Sequence, residues 1–382
     1  MKEFIIVTYS YWNYLTGKVG VGGLETYLYD LSQFINNKLG CKCVVYQAVN
    51  DKDYNDVDFG MTKVVPVYFP KNTRKSYQQL FEKAFLCHNS PDTVFVIATD
   101  QMNIKSTASN VVAIQHGISW DIPHSMIKGF WGRNTLLKRL NKYIRCFVNS
   151  RRYANSRNLV CVDYNYFNWL RTLEDISAEH NVVVIPNYCS SIITQEELNN
   201  KLARQSDVKK LLFARRFVDY RGTLVFARVC ERLLKEFPSI EVTFAGAGPL
   251  ESDIRELADK YDRINITSYE NKDSVRFHYD YDIAVVPTIY SEGTSLSLCE
   301  AMAAGCLPVA THVGGMTNMI FDGYNGLFSS LDEEDLYNTL KKAILLSNQE
   351  REFMVRNAHE VVKNSFSIEK WEAGWEKFLS RI

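Results

Sequence analysis

Two glutamates eight positions apart, Glu292 and Glu300, bracket a run that could do chemistry. An apolar stretch, Ile283 to Pro287, reads as a buried parallel strand, and the helix formers from Leu296 to Ala304 follow it. The spacing therefore predicts a strand, a loop and a helix, with Glu292 in the loop and Glu300 about two turns into the helix, both facing one pocket. Between them the amides of Gly293, Thr294, Ser295 and Leu296 become the unpaired N–H groups of a helix N-terminus, which suits an anion. Such a site offers a diphosphate cradle and two hydroxyl-binding carboxylates.

Other residues point to the same chemistry. Arg216 and Arg221 bracket a strand-to-helix loop after Leu211 to Ala214, a loop of the length needed to converge on one anion. His116 stands directly after the strand Val111 to Ile114, and ligands of open α/β sheets bind at the carboxyl ends of strands. Gly22 and Gly23 close a glycine-dense loop after the strand Phe4 to Thr8, and Gly248 sits in a tight turn after Val242 to Ala245; at both places bare backbone can approach a ligand. Asp280 with Asp282, and Asp56 with Asp58, fit the D-x-D letters of a metal-dependent transferase. Asp280 and Asp282 precede the buried strand instead of following it, where open sheets do not bind ligands, which counts against a metal pair there; no metal and no cofactor is expected.

The elements that must position these residues alternate strand and helix in two series, which predicts two doubly wound domains. The expected division is 1–188 and 189–365, with a polar hinge from Ser190 to Val208 and a terminal helical segment, 366–382, packing back on the first domain. One further helix is expected from Glu333 to about Ala358. Lys and Arg total 44 and Asp and Glu total 44, so no overall field draws the chain to nucleic acid, and no nucleic-acid recognition motif is present. Residues 126–157 are the local exception: basic residues accumulate there among aromatic and aliphatic ones, as in a segment that lies on an anionic membrane surface. The nine cysteines are scattered through apolar runs and read as free thiols. The first residues carry no signal-peptide pattern, and the expected location is cytoplasmic, peripheral on the inner face of the plasma membrane.

Taken in order, Gly22-Gly23-Leu24-Glu25, His116-Gly117, Ile185-Pro186-Asn187, Arg216 with Arg221-Gly222, Gly246-Ala247-Gly248-Pro249, Glu292 through Glu300, Ala301 to Gly305 and Gly314-Gly315 resemble the retaining glycosyltransferases of family 4 over nearly the whole chain. The resemblance implies a GT-B fold, two Rossmann-like domains, and a hexosyl- or deoxyhexosyltransferase that uses a nucleoside-diphosphate sugar. The acceptor would be a glycan or lipid-linked glycan, in cell-surface polysaccharide or lipid-linked glycan synthesis. It also implies that Glu300 binds the ribose, that Glu292 and the amides after it hold the donor sugar, and that Arg216 and Arg221 neutralise the diphosphate. Gly22, Gly23 and Gly248 would lie in the donor site, and His116 beside the reacting carbon. The chain departs from the family pattern in several places. Arg221 stands where lysine is usual, Arg215 where glycine is common, leaving open whether Arg215 or Arg216 faces the phosphate, and Asp163 where a serine is usual. The aspartate that often follows Ile-Pro-Asn is absent. Two rival readings are a GT-A transferase using Asp280 and Asp282, and a GT-B-shaped adaptor without activity; the second fits poorly with intact Glu292, Glu300, His116, Arg216 and Arg221.

Overall fold

The computed structural model describes residues 2–177, 179–204 and 208–382. The chain divides into two compact units, 1–185 with 374–382, and 186–373. In the first, eight strands lie in the order Asn181–Val184, Asn158–Cys161, Val111–Gln115, Thr93–Ile97, Glu3–Thr8, Lys42–Val49, Thr62–Tyr68, Val57–Phe59. All neighbours are parallel except the last pair. Their continuous apolar character follows from burial on both faces: Ile5, Phe95, Ile114 and Val160 are all inaccessible. The order reverses between Glu3–Thr8 and Thr93–Ile97, which opens a crevice beyond their carboxyl ends.

The second unit holds six parallel strands in the order Ile264–Thr267, Ile240–Ala245, Lys209–Ala214, Ile283–Val286, Leu307–Thr311, Leu327–Ser329. Here the reversal falls between Lys209–Ala214 and Ile283–Val286, the two strands that lead into Arg215 and Glu292. A cluster of Phe213, Phe217, Phe226 and Phe244, with centroid separations of 5.3 to 6.3 Å, fixes the first of these strands against the Thr223–Glu236 helix. Such aromatic packing stabilises beyond the area it buries.

Several sequence expectations are corrected. The division falls at Ile185, three residues before Tyr188, because Tyr188 packs on Trp371 at 4.6 Å and the Cys189 amide donates to the Phe366 carbonyl at 2.7 Å, both within the second unit. The returning segment begins at Gly374, inside the Ile368–Leu379 helix, and not at Phe366. Trp375 holds that end in the first unit by donating from Nε1 to the buried Tyr27 hydroxyl at 3.1 Å. The polar segment 190–208 is no simple linker: Thr194 and Glu197 form a reciprocal capping box for a helix, Gln195–Leu202, whose Leu198 is buried. Residues 205–207 of it lie outside the described residues. The helix expected from Glu333 to Ala358 is two, Glu333–Leu345 and Asn348–Ser365, because Ser347 and Glu350 cap a new start. All nine cysteines are free, and among the described residues no helix is long and apolar enough to cross a membrane.

Candidate active site

The second unit gathers its polar groups at the switch point. Glu292 is buried, and its Oε2 accepts from the Arg215 guanidinium at 2.8 Å, from Arg221, and from Thr288 Oγ1 at 3.2 Å. Burial alone would raise the Glu292 carboxyl, but the Arg215 and Arg221 guanidinium groups override it and hold the pKa below its ordinary value. Arg215 is lowered by burial and by Arg221 yet supported by Glu292, and it stays a cation because arginine starts so high.

Arg215 is therefore the residue that joins Arg221, and Arg216, named from the sequence, is turned out and exposed. The backbone explains the choice. Arg215 is the last residue on the ladder, its amide donating to the Ala245 carbonyl of one neighbouring strand at 3.0 Å, while its guanidinium donates to Thr288 Oγ1 beyond the end of the strand on the other side. Beyond it the chain folds back, with Val218 donating to the Arg216 carbonyl at 2.9 Å.

The loop after Ile283–Val286 is clamped from three sides. Ile289 donates to the Tyr220 carbonyl at 3.0 Å, Gly315 donates to the Glu292 carbonyl at 3.0 Å, and Asn187 Nδ2 donates to the Thr294 carbonyl at 2.7 Å. The last bond gives Ile185-Pro186-Asn187 a physical role within the second unit. Gly314, at φ 53°, has no alternative, since a Cβ there would lie 1.8 Å from the Glu292 carbonyl oxygen. Gly248 acts on the other loop, where a Cβ would meet the Phe217 carbonyl at 2.4 Å. It supports the arginine loop from beneath. Gly293, Thr294 and Ser295 are buried, and the Leu296–Ala303 helix begins with no side-chain cap on its first amides. Those amides remain available to an anion. One face of that helix carries Glu300, whose carboxyl is pushed up to about 7 by burial, against a Ser274 hydrogen bond and the attraction of Arg215.

In the first unit, His116 follows the Val111–Gln115 strand and packs edge-on against Tyr27, 4.6 Å between centroids. Burial pushes the imidazole down to about 4, against a hydrogen bond to the Ala98 backbone, so the ring is neutral. Its Nε2 is buried without a hydrogen-bond partner and is left with an open lone pair for a hydroxyl. Asp100, which sequence reading missed, accepts from the His116 amide and is pushed up to about 7, chiefly by burial; its Oδ2 has no partner. Its signal was a carboxylate just after a strand on the switch point, at Ala98-Thr99-Asp100. Gly22 precedes the Gly23–Gln33 helix, and the Glu25 carboxylate folds back over it to meet Ser10. A side chain at Gly22 would displace that carboxylate, so this glycine has a packing role of its own.

Asp163, in place of the usual serine, caps the Tyr164–Leu173 helix by accepting from the Tyr166 amide at 2.8 Å. Of the D-x-D letters at Asp280 and Asp282, the second is engaged within the fold. Asp282 stands at the amino end of its strand, away from the switch-point site, accepting from the Lys210 amide at 2.9 Å and pairing with Arg351 at 3.0 Å.

Comparison with known proteins now bears on the fold. Along the full chain it matches a sucrose-phosphate synthase from Thermosynechococcus elongatus with a TM-score of 0.72, at 16% identity, covering 100% of this chain and 99% of that one. The fold is GT-B. Within this GT-B chain, residues 194–361 match the family model described as glycosyl transferases group 1. Among curated relatives, Protein CapJ of Staphylococcus aureus is 26% identical over 195 residues, 50% of this chain and 48% of that protein. A lipopolysaccharide 1,2-N-acetylglucosaminetransferase of Salmonella typhimurium is 24% identical over 219 residues, 53% and 56% of the two chains. The chain thus spans about half the length of the curated relatives it matches. The matched segment contains Arg215, Arg221, Glu292 and Glu300.

Proposed function

We propose that the chain is a retaining glycosyltransferase that moves a sugar from a nucleoside diphosphate to a hydroxyl of a glycan, one carried on a lipid or destined for the cell surface. One observation carries the reading: Arg215, Arg221, Glu292 and an uncapped helix N-terminus lie together at the carboxyl ends of the switch-point strands, with Glu300 on the same helix.

In this reading the diphosphate lies on the helix amides and the two guanidinium groups, and Glu300 takes the ribose hydroxyls. Glu292 orients the arginines and, through Oε1, meets a sugar hydroxyl. The bond from the anomeric carbon to the phosphate oxygen breaks and its electron pair stays on that oxygen. The acceptor hydroxyl attacks the same face, and its proton passes to the leaving oxygen. Negative charge grows where the cations and amides already point, and one such preorganised donor is worth about 3–4 kcal/mol of barrier. No metal is required for this chemistry, so EDTA should leave turnover unchanged.

The membrane part has its own support. On the Thr135–Ala154 helix, Leu136, Leu140, Tyr143, Ile144 and Phe147 form one exposed stripe, while Asn141, Asn149, Ser150 and, near the end, Tyr153 are buried. A helix that turns its apolar side outward, flanked by Lys138, Arg139, Lys142 and Arg151, suits an anionic bilayer. The variant L140E/F147E should lose flotation with anionic liposomes; equal flotation would remove the membrane from the reading.

The transfer itself is tested by thermal shift against a panel of nucleotide sugars, followed by the anomeric configuration of the product by NMR. One nucleotide sugar should raise the melting temperature, Glu300→Ala should abolish the shift, and the product should retain configuration. No shift with any donor, or an inverted product, would overturn the proposal.

A further inference from the structure

Directly after the Glu3–Thr8 strand, Trp12–Asn13 pairs antiparallel with Lys18–Val19 to make a short hairpin. Asn13 shapes its turn: its Oδ1 accepts from the Leu15 amide at 3.0 Å and its carbonyl from the Gly17 amide at 2.9 Å, with Gly17 left-handed at φ 64°. The Gln47 side chain fastens the hairpin to the Lys42–Val49 strand much as a paired backbone would. It accepts from the Trp12 amide at 2.7 Å and donates to the Trp12 carbonyl at 3.0 Å. Two aromatic pairs then join the hairpin to the segment that follows the same strand. Tyr14 lies face to face with Tyr54, 4.3 Å between centroids and 7° between planes, and Trp12 leans on Phe59 at 5.2 Å. All four rings keep part of their surface in solvent, and Leu15 beside them is 87% exposed. The part of a ring left in water stabilises nothing until something covers it.

The charge around these rings narrows what can cover them. Segment 51–58 carries Asp51, Asp53, Asp56 and Asp58 against Lys52, all of them exposed, and Asp56 reaches Lys63 at 2.7 Å. At physiological ionic strength like charges repel within about 8 Å, so a phosphate, a nucleotide or an anionic headgroup is turned away. The basic Thr135–Ala154 helix of the same unit has the opposite preference. A neutral sugar suits both features of the surface. Its C–H face packs on the electron-rich face of an aromatic ring, and its hydroxyls donate to carboxylates, which only accept.

We propose that Trp12, Tyr14 and Tyr54, rimmed by these aspartates, form a binding surface for an uncharged glycan, separate from the residues assigned to the donor. That this glycan is the acceptor rests on the glycosyl-transfer reading; the sugar-binding surface does not. The surface holds sugar units beyond the one that reacts, and so it governs KM for long acceptors and leaves kcat alone.

The test measures binding of the full chain to immobilised dextran, mannan, soluble starch and polygalacturonate by surface plasmon resonance, with no nucleotide present. Wild type binds at least one of the three neutral polymers and binds polygalacturonate more weakly. Y14A/Y54A loses at least about tenfold in affinity for that neutral polymer, as for two lost ring contacts. Y14F/Y54F keeps both rings and binds as wild type does; the Tyr14 hydroxyl is buried without a partner, so its removal costs no stability. In wild type the bound polymer also protects Tyr54 from nitration by tetranitromethane, read by peptide mass spectrometry, and this arm decides the matter if Y14A/Y54A does not fold. No binding to any neutral polymer, equal binding of polygalacturonate, wild-type affinity in folded Y14A/Y54A, or unprotected Tyr54 overturns the proposal. A missing thermal shift with every nucleotide sugar would instead sink the glycosyl-transfer reading and leave these arms interpretable.

Discussion

Both units collect polar groups at the carboxyl ends of their switch-point strands, yet the two collections have opposite electrostatics. In the second unit the Arg215 and Arg221 cations share the single Glu292 carboxylate, so the group is paired and keeps a net positive charge. In the first, Asp100 is pushed up to about 7 and His116 down to about 4, so that near neutral pH His116 is uncharged and Asp100 is substantially protonated. Burial is common to both sites. What differs is whether a counter-ion was buried alongside, because desolvation wins where none is present and pairing wins where one is. A charged, satisfied site suits a diphosphate, and a neutral, unsatisfied one suits hydroxyls.

The largest expected effect would break the charged side of this comparison. Glu292→Gln leaves Arg215 and Arg221 adjacent and uncompensated, and should cost about 3–5 kcal/mol of unfolding free energy in urea titrations. A loss below about 1 kcal/mol would mean that the pair is not what holds the loop. Next, Arg215→Ala should lower kcat/KM for glycosyl transfer by roughly 100-fold or more, as for loss of one preorganised donor, with the fold intact by circular dichroism.

The neutral side, and the one uncompensated carboxyl of the charged side, are sharpened by pH. Asp100 and Glu300 both have folded pKa values of about 7, above their ordinary values of 3.8 and 4.5. The folded state thus prefers each protonated, so each contributes fully below its unfolded pKa, and the contribution is lost as pH rises toward 7. Asp100→Asn should then raise stability by about 4 kcal/mol and Glu300→Gln by about 3 kcal/mol at pH 8, and both should change little at pH 4. A pH-independent difference would show that their ionisation is not linked to folding. His116 runs the other way, its neutral preference lost as pH falls below 6.5 toward 4. The smallest effect belongs to Arg216→Ala, which should shift stability by less than about 0.5 kcal/mol and leave kcat/KM within roughly threefold; a loss comparable to that of Arg215→Ala would return Arg216 to the site.

Much of this was legible in the residues. The apolar strands, the glycine loops and the Glu292 to Glu300 run are local patterns, and a buried parallel strand or a helix N-terminus announces itself over a handful of positions. Capping was legible too and was overlooked, at Thr194 with Glu197 and at Ser347 with Glu350, where the S/T-x-x-E pattern broke a supposed linker and a supposed long helix. Asp100 was less visible, because nothing in the letters tells a buried aspartate from a solvated one.

The sequence by itself determined two α/β halves, the alternation that made them, and the strand, loop and helix that carry Glu292 and Glu300, since periodicity and residue type are properties of short stretches. The tertiary structure decided which of two adjacent arginines serves Glu292, because that depends on ladder register: Arg215 is the last residue hydrogen-bonded to the neighbouring strand and Arg216 the first one past it. It also brought two helices far apart in the chain, Arg74–His88 and Thr135–Ala154, against one turn, Asp100–Met102. No pattern of spacing encodes that meeting, because it exists only once both helices have packed against the same turn at the carboxyl end of a central strand.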